Sequence, residues 1–327
     1  MLGLLGERSL KILVTGGAGF IGSHLAEALL QGGHSVTVLD SLVSGTEQNL
    51  YQCRKSTAFK FIKGDCRRPS DAKRAIADQE LVYHLAANPE VRLQLSSPRE
   101  SFENNIQATY VLLESVRQSS VQTVAFASSS TVYGEPHTIP TPEDYGPMKP
   151  ISVYGASKLA CEALISSYCH SFSRRGVILR LANVIGPRAT HGVIIDFIRK
   201  LRNDPARLEI LGDGRQTKSY LYIHDCLDAM IQAVDSSRDV VNTFNIGSED
   251  QATVTEIAQT VNEEMGLHNV RLQFTGGVDG GRGWIGDVRT MLLDVTRIKS
   301  LGWKPHYSSL EAVHRTAREL IKADTPM

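Results

Sequence analysis

The stretch VTGGAGFIGSHL, residues 14–25, most constrains what this chain can fold into. A short apolar run, KILVT, leads straight into it, and FIGSHLAEALLQGG leaves it with helical spacing and a glycine stop. Gly16, Gly19 and Gly22 fit the spacing T-G-x-x-G-x-x-G, while Gly17, Gly19 and Gly22 also fit G-x-G-x-x-G. Glycine allows the tight turn and lets the backbone approach a pyrophosphate, and the helix N-terminus behind it offers free N–H groups and a positive dipole end. Asp40 closes the second strand-like run, SVTVLD, 18 residues after Gly22. There a carboxylate can accept hydrogen bonds from an adenosine ribose. It would repel a 2′-phosphate, and no Lys or Arg follows in DSLVSGTEQN, so NAD is expected in preference to NADP.

The alternation continues. AFKFIKGD, LVYHLAA, VQTVAFAS and GVILRLAN read as further strands, separated by helix-like segments around residues 97–119 and 154–173. Such alternation implies an α/β fold with a doubly wound parallel sheet. Beyond Asn183 the pattern loosens, so a dinucleotide-binding domain over 1–183 and a smaller α/β lobe over 184–327 are expected, with interleaving segments allowed. TGGVDGGRGWIGD, residues 275–287, is a loop, either a plain surface turn or a lid over a ligand. Asp65, just after the third strand, could cap a turn or touch adenine.

Lys plus Arg and Asp plus Glu both number 35, which gives nucleic acid or an anionic membrane no global field to bind. Five widely spaced cysteines without a C-x-x-C argue against a disulfide framework or a zinc cluster and suit a reducing compartment. The first ten residues carry no basic n-region or cleavage site, and no apolar run is long enough to span a bilayer. A soluble, cytoplasmic protein is expected.

The chemistry centres on FASSSTVYGE, residues 126–135, and on SVYGASKLACE, which follows from Ser152. Tyr154 and Lys158 are spaced i, i+4 and share one helix face. A nearby ammonium, with the positive nicotinamide of NAD+, would favour phenolate and make tyrosine a usable base toward a sugar hydroxyl. A serine from the end of the fifth strand can hydrogen-bond the substrate oxygen.

In this combination the chain resembles the extended short-chain dehydrogenases/reductases, in the nucleotide-sugar epimerase/dehydratase branch and close to the UDP-hexose 4-epimerases. TGGAGFIG, Asp40, GDC at Gly64, HLAA at His84, NNIQAT at Asn104, SSSTVYG, YGASK, RLANVIGPR, LGDGRQTKSYLYIHDC, NIG at Asn245 and GDV…LGWKP carry the likeness, which spans nearly the whole chain. It implies a Rossmann-type sheet with a smaller substrate lobe and a catalytic set of Ser129, Tyr154 and Lys158. It implies an NAD site of Gly16, Gly19, Phe20, Ile21, Gly22, Asp40, Ser41, Gly45, Asp65, Cys66, Leu85, Ala86, Ala87, Asn105 and Ser128 beside Tyr154 and Lys158. NAD would be tightly bound and regenerated at each turnover.

The nucleotide-diphosphate sugar, UDP-linked by the same likeness, is expected against Ser129, Ser130, Thr131, Tyr154, Asn183, Lys218, Arg282 and Met291. Lys218 replaces the family's usual arginine, and Arg282 stands four positions before Gly286 instead of two. Arg92 could sit near the substrate or serve as a surface charge. The related 4,6-dehydratases carry Asp-Glu where this chain has Ser130 and Thr131, and uronate decarboxylases carry Glu at the position of Thr131. The resemblance therefore implies C4 epimerisation through a 4-keto intermediate. Another dehydratase or reductase of the fold, or a non-catalytic NAD-binding sensor or scaffold, is the alternative, although a sensor would typically lack the Tyr or Lys. A homodimer, with the helices around residues 99–117 and 154–173 pairing across a two-fold axis, is also implied by the resemblance.

Overall fold

The computed structural model describes residues 8–89 and 97–323. Six parallel strands follow in order from the N-terminus: β1 (Lys11–Thr15), β2 (Ser35–Asp40), β3 (Phe59–Lys63), β4 (Leu81–His84), β5 (Thr123–Ser129) and β6 (Arg175–Leu181). Helices α1 (Phe20–Gln31), α2 (Pro69–Ile76), α3 (Pro98–Ser101), α4 (Ala108–Arg117) and α5 (Val153–Ser171) connect them. A π-helical stretch over Phe102–Gln107 joins α3 to α4, so the expected single helix there is locally widened and underwound.

The strands are apolar on both faces because helices cover both sides. Ile12, Leu13, Val14, Val82, Tyr83, Val124, Phe126, Val177 and Leu179 are all buried. The chain continues through β7 (Asn183–Ile185), α6 (Val193–Asn203), β8 (Arg207–Ile210), β9 (Thr217–Lys218), β10 (Tyr220–Tyr222), α7 (Ile223–Ser236) and β11 (Val241–Ile246). It ends with β12 (Ala252–Thr253), α8 (Val254–Glu264), β13 (Arg271–Phe274), β14 (Thr290–Met291), α9 (Thr296–Lys299) and α10 (Ser309–Ala323).

The main sheet has seven strands in the order β11-β6-β5-β4-β1-β2-β3. The order reverses between β1 and β4, which opens a crevice at the carboxyl ends of these strands. β11 comes from beyond residue 183 yet pairs with β6 along its length, Val241 opposite Gly176 through Ile246 opposite Leu181. Helices α6, α8 and α10, with β8, form a second core around Phe197, Ile198, Leu201, Ile257, Val261 and Val313, while α7 and α9 pack into the main one. In that region β9 lies between β12 and β14, which sets Met291 opposite Lys218.

Candidate active site

The glycine turn crosses the top of β1 under tight steric limits. Gly16 has φ +69°, and a Cβ on Gly22 would lie 2.3 Å from the Gly16 carbonyl oxygen. Helix α1 has Gly19 as its N-cap, with no side-chain cap and no acidic residue in its first turn. Its orphan N–H groups, among them those of Phe20 and Ile21, are thus left to an anion. Asp40 is buried and oriented. Oδ2 accepts from the Ala18 N–H and Oδ1 from the Leu42 N–H, both at 2.8 Å. Each oxygen keeps a lone pair for a ribose hydroxyl. A Cβ on Gly45 would lie 2.7 Å from the Ala18 carbonyl carbon, and exposed Ser41 follows Asp40 directly. On these observations the cradle fits a dinucleotide pyrophosphate and its adenosine ribose.

The floor of the crevice is tied together from below. Thr15 Oγ1 accepts from the Ala86 N–H at 3.2 Å, and the Leu85 N–H donates to the Thr15 carbonyl. Ala87 follows in the same turn, and the Asn88 N–H next to it donates to Asn105 Oδ1 at 2.8 Å. Asn105 in turn donates to Ser157 Oγ on α5. Asp65 does cap a turn: Oδ1 accepts from the Arg67 N–H, and both oxygens are held by the Arg67 guanidinium. Cys66 is buried beneath it, and burial pushes its thiol up to about 12.

Helix α5 brings the reactive groups to this crevice. Ser152 is its N-cap and accepts from the Gly155 N–H at 3.0 Å, which sets the register of Tyr154 and Lys158. Gly155 matters through close approach: a Cβ there would meet the Thr131 carbonyl at 2.6 Å. The helix start therefore rests against the turn after β5. In that turn Ser129 Oγ accepts from both the N–H and the hydroxyl of Thr131, at 3.2 and 3.0 Å. With both lone pairs used, the Ser129 proton is left to donate to the Tyr154 oxygen to which it is hydrogen-bonded. Ser130 lies half-buried in the same turn.

Lys158 is buried. Its ammonium donates to the Ala127 carbonyl at 2.8 Å and stands 5.7 Å from the Tyr154 ring centre. Burial lowers its pKa to about 8, opposed by Cys161 and Glu162. The expected acidic tyrosine is not what the protein alone provides. Burial pushes Tyr154 up to about 12, with the Ser129 hydrogen bond pulling the other way. Lys158 is directed at the Ala127 carbonyl, so burial outweighs its pull on the phenol.

The substrate candidates fall into two groups. Asn183, Lys218 and Met291 are brought together: Asn183 Nδ2 donates to the Ser219 carbonyl, and Met291 pairs with Lys218 across β14 and β9. Lys218 forms a 2.6 Å ion pair with buried Asp287 and lies over the Trp284 ring. Arg282 is engaged differently, with Glu135 at 2.6 Å and Asp279 at 3.2 Å. The glycine-rich loop therefore folds as a tight turn, bridged from Val278 to Arg282 and fastened beside the catalytic turn. Arg92 lies outside the described residues.

Sequence reasoning missed one feature, a buried polar network behind the catalytic strand end. Ser128 Oγ donates to Glu162 Oε1 at 2.5 Å, and Glu162 pairs with Arg180 at 2.8 Å. The available signals were the Arg inside the apolar strand GVILRLAN and a Glu one turn beyond Lys158.

A dinucleotide cradle and a Tyr–Lys helix at the switch point of one parallel sheet define an extended short-chain dehydrogenase/reductase. The family model described as the NAD-dependent epimerase/dehydratase family matches residues 12–247, and the chain belongs to that family. Its cofactor is NAD. The UDP-glucose 4-epimerase of Mycolicibacterium smegmatis is 32% identical over 94% of this chain and 97% of its own. A crystal structure of a UDP-galactose 4-epimerase superposes with a TM-score of 0.86 at 42% identity, covering 97% of this chain and all of the other. The UDP-glucuronic acid 4-epimerase of Bacillus cereus, in a variant solved with NAD and a fluorinated UDP-glucuronic acid, gives 0.86 at 29% identity over 96% of this chain and all of the other. Among the described residues no helix is long and apolar enough to cross a membrane.

Proposed function

We propose that the protein epimerises C4 of a UDP-linked sugar through a transient 4-keto sugar. The observation that carries this reading is the Ser129–Tyr154 hydrogen bond beside a turn whose next residues, Ser130 and Thr131, carry no carboxyl group. Tyr154 accepts the C4 hydroxyl proton and later returns it. Once the sugar is bound, Ser129 turns its proton from the Tyr154 oxygen to the substrate oxygen and holds it in line, and Lys158 supplies a fixed positive charge behind the phenol. Held by the glycine turn and Asp40, NAD would supply a positive nicotinamide that favours phenolate and the capacity for reversible hydride transfer at C4. Loss of the 6-hydroxyl would need an acid in the 130–131 turn, and a hydroxyl cannot serve. The relatives' names span UDP-glucose, UDP-galactose and UDP-glucuronic acid, so the reading commits to the reaction and to the UDP-sugar class.

The cofactor is assigned to the crevice over the 1–183 part of the chain. The sugar nucleotide is assigned to the 184–327 lobe, with Asn183 and Lys218 toward the diphosphate and Met291 toward the sugar. The same reading makes the protein a cytoplasmic homodimer joined through α4 and α5. Phe102, Tyr110 and Phe172 expose large apolar surface there, and the cytoplasm suits five buried free thiols.

Incubating the purified protein with a panel of UDP-sugars, without added cofactor, tests the reaction. Interconversion of C4 epimers is expected, and Tyr154→Phe should lower the rate by about a hundredfold or more. A 4-keto-6-deoxy product, or full activity in that variant, would overturn the reading.

A further inference from the structure

The network behind β5 is larger than a single ion pair. Glu162 takes the Ser128 hydroxyl and the Arg180 guanidinium, whose Nη1 donates to both the Tyr133 hydroxyl and the Glu143 carbonyl at 2.8 Å. Tyr133 donates to Asn245 Oδ1 at 2.7 Å. The Asn245 amide donates to the carbonyls of Thr141 and Asp294, and its backbone N–H to Glu143 Oε1. Thr141 is itself stitched to Leu292 and Asp294 by backbone hydrogen bonds. Ser128, Tyr133, Glu162, Arg180 and Asn245 are all buried. One continuous path thus runs from the catalytic strand end and the turn of α5 beyond Lys158 to the segment immediately after Met291.

Resting on the epimerase reading, we propose that Glu162 and Arg180 are positioning residues that register the Ser129–Tyr154–Lys158 centre against the 141–145 segment and, through it, the 291–294 segment of the substrate lobe. A buried ion pair is a weak source of stability, because apolar residues of similar volume often fold as well or better. What such a pair supplies is direction. Arg180 presents a rigid fork, and each prong meets a different element, so α5, β5, β6 and β11 hold one mutual geometry. Ser128 binds this frame while its neighbour Ser129 faces Tyr154. A shift of the frame is therefore transmitted to the hydrogen bond that the reaction uses. Glu162 also lies one turn after Lys158, where its charge supports the ammonium against burial.

The test removes both charges together, as Glu162→Leu with Arg180→Met, so that no unpaired ion is left in the core. Thermal unfolding, bound NAD content, and kcat and KM for the best UDP-sugar are measured beside wild type and Tyr154→Phe. The variant is expected to fold and retain NAD, with kcat reduced about a hundredfold and KM little changed, the signature of a misplaced reacting geometry. Its crystal structure is expected to show the Ser129–Tyr154 hydrogen bond broken. A folded, NAD-loaded variant with wild-type kcat, or with that hydrogen bond and the 141–145 segment unmoved, overturns the proposal. Should the double variant fail to fold, Ser128→Ala decides by the same kcat and structural readouts, with wild-type values in both overturning it. If wild type converts no UDP-sugar, the epimerase reading fails, and the crystallographic arm still judges the positioning role.

Discussion

Lys158 illustrates how a catalytic residue is held at a cost to the fold. Its ammonium has lost water and gained one carbonyl, so its pKa falls from the ordinary 10.5 to about 8. Between these values the unfolded chain binds the proton and the folded chain releases it, so stability should rise with pH across that window. Below about pH 8 the full penalty, on the order of 3 kcal/mol, is present. Tyr154 has the opposite sign. Its raised pKa means stability falls once the pH passes the ordinary 10 for tyrosine. Lys158→Met should therefore be inactive yet more stable than wild type at pH 7, and its stability should no longer climb between pH 8 and 10.5. Urea unfolding at several pH values measures both, and a less stable variant with the wild-type slope would refute the argument. The spacing of Tyr154 and Lys158 was legible in the sequence, but the direction of the tyrosine shift was not. Spacing shows that a charge is near and gives no measure of how much water burial removes.

At the scale of elements, the start of α5 is the part on which the site depends most. Ser152→Ala removes the cap and should cost about 1 kcal/mol, seen as a lower melting temperature with a moderate loss of kcat. Gly155→Ala should behave differently. Alanine suits a helix interior, but its methyl would press on the Thr131 carbonyl and move α5 away from the turn that orients Ser129. Activity should fall by about tenfold or more with little change in melting temperature, and a variant with wild-type kcat would show that the close approach is dispensable. The strands that build the cradle were readable because parallel strands covered on both faces are near-continuous apolar runs. Two of them, KILVT and SVTVLD, coincide with β1 and β2 to the residue. β11 was harder to see, since VNTFNI is neither a continuous apolar run nor a clean alternation and lies in a region of short elements. The Glu162–Arg180 frame was invisible as a unit because its members are spread over more than a hundred residues of chain.

At the scale of the whole molecule, the α4–α5 face makes a prediction about assembly. Tyr110 and Phe172 stand exposed on it, and Phe172 borders a groove lined also by Leu113, Val116 and Tyr168. Sedimentation should find a dimer, and Tyr110→Glu should shift it toward monomer while circular dichroism stays unchanged. A wild-type monomer at micromolar concentration would remove this interface from the proposal.

The placement of β11 also bears on how the chain can be made and cut. Until residue 246 has left the ribosome, β6 is an unpaired edge, with Val177, Ile178 and Leu179 offered to any passing strand. Expression of residues 1–183 alone should accordingly yield aggregates in place of a small NAD-binding protein. Carrying the fragment past residue 246 pairs that edge, yet it still bares the α6 face that α8 and α10 cover, so only a chain that includes α10 should remain in solution.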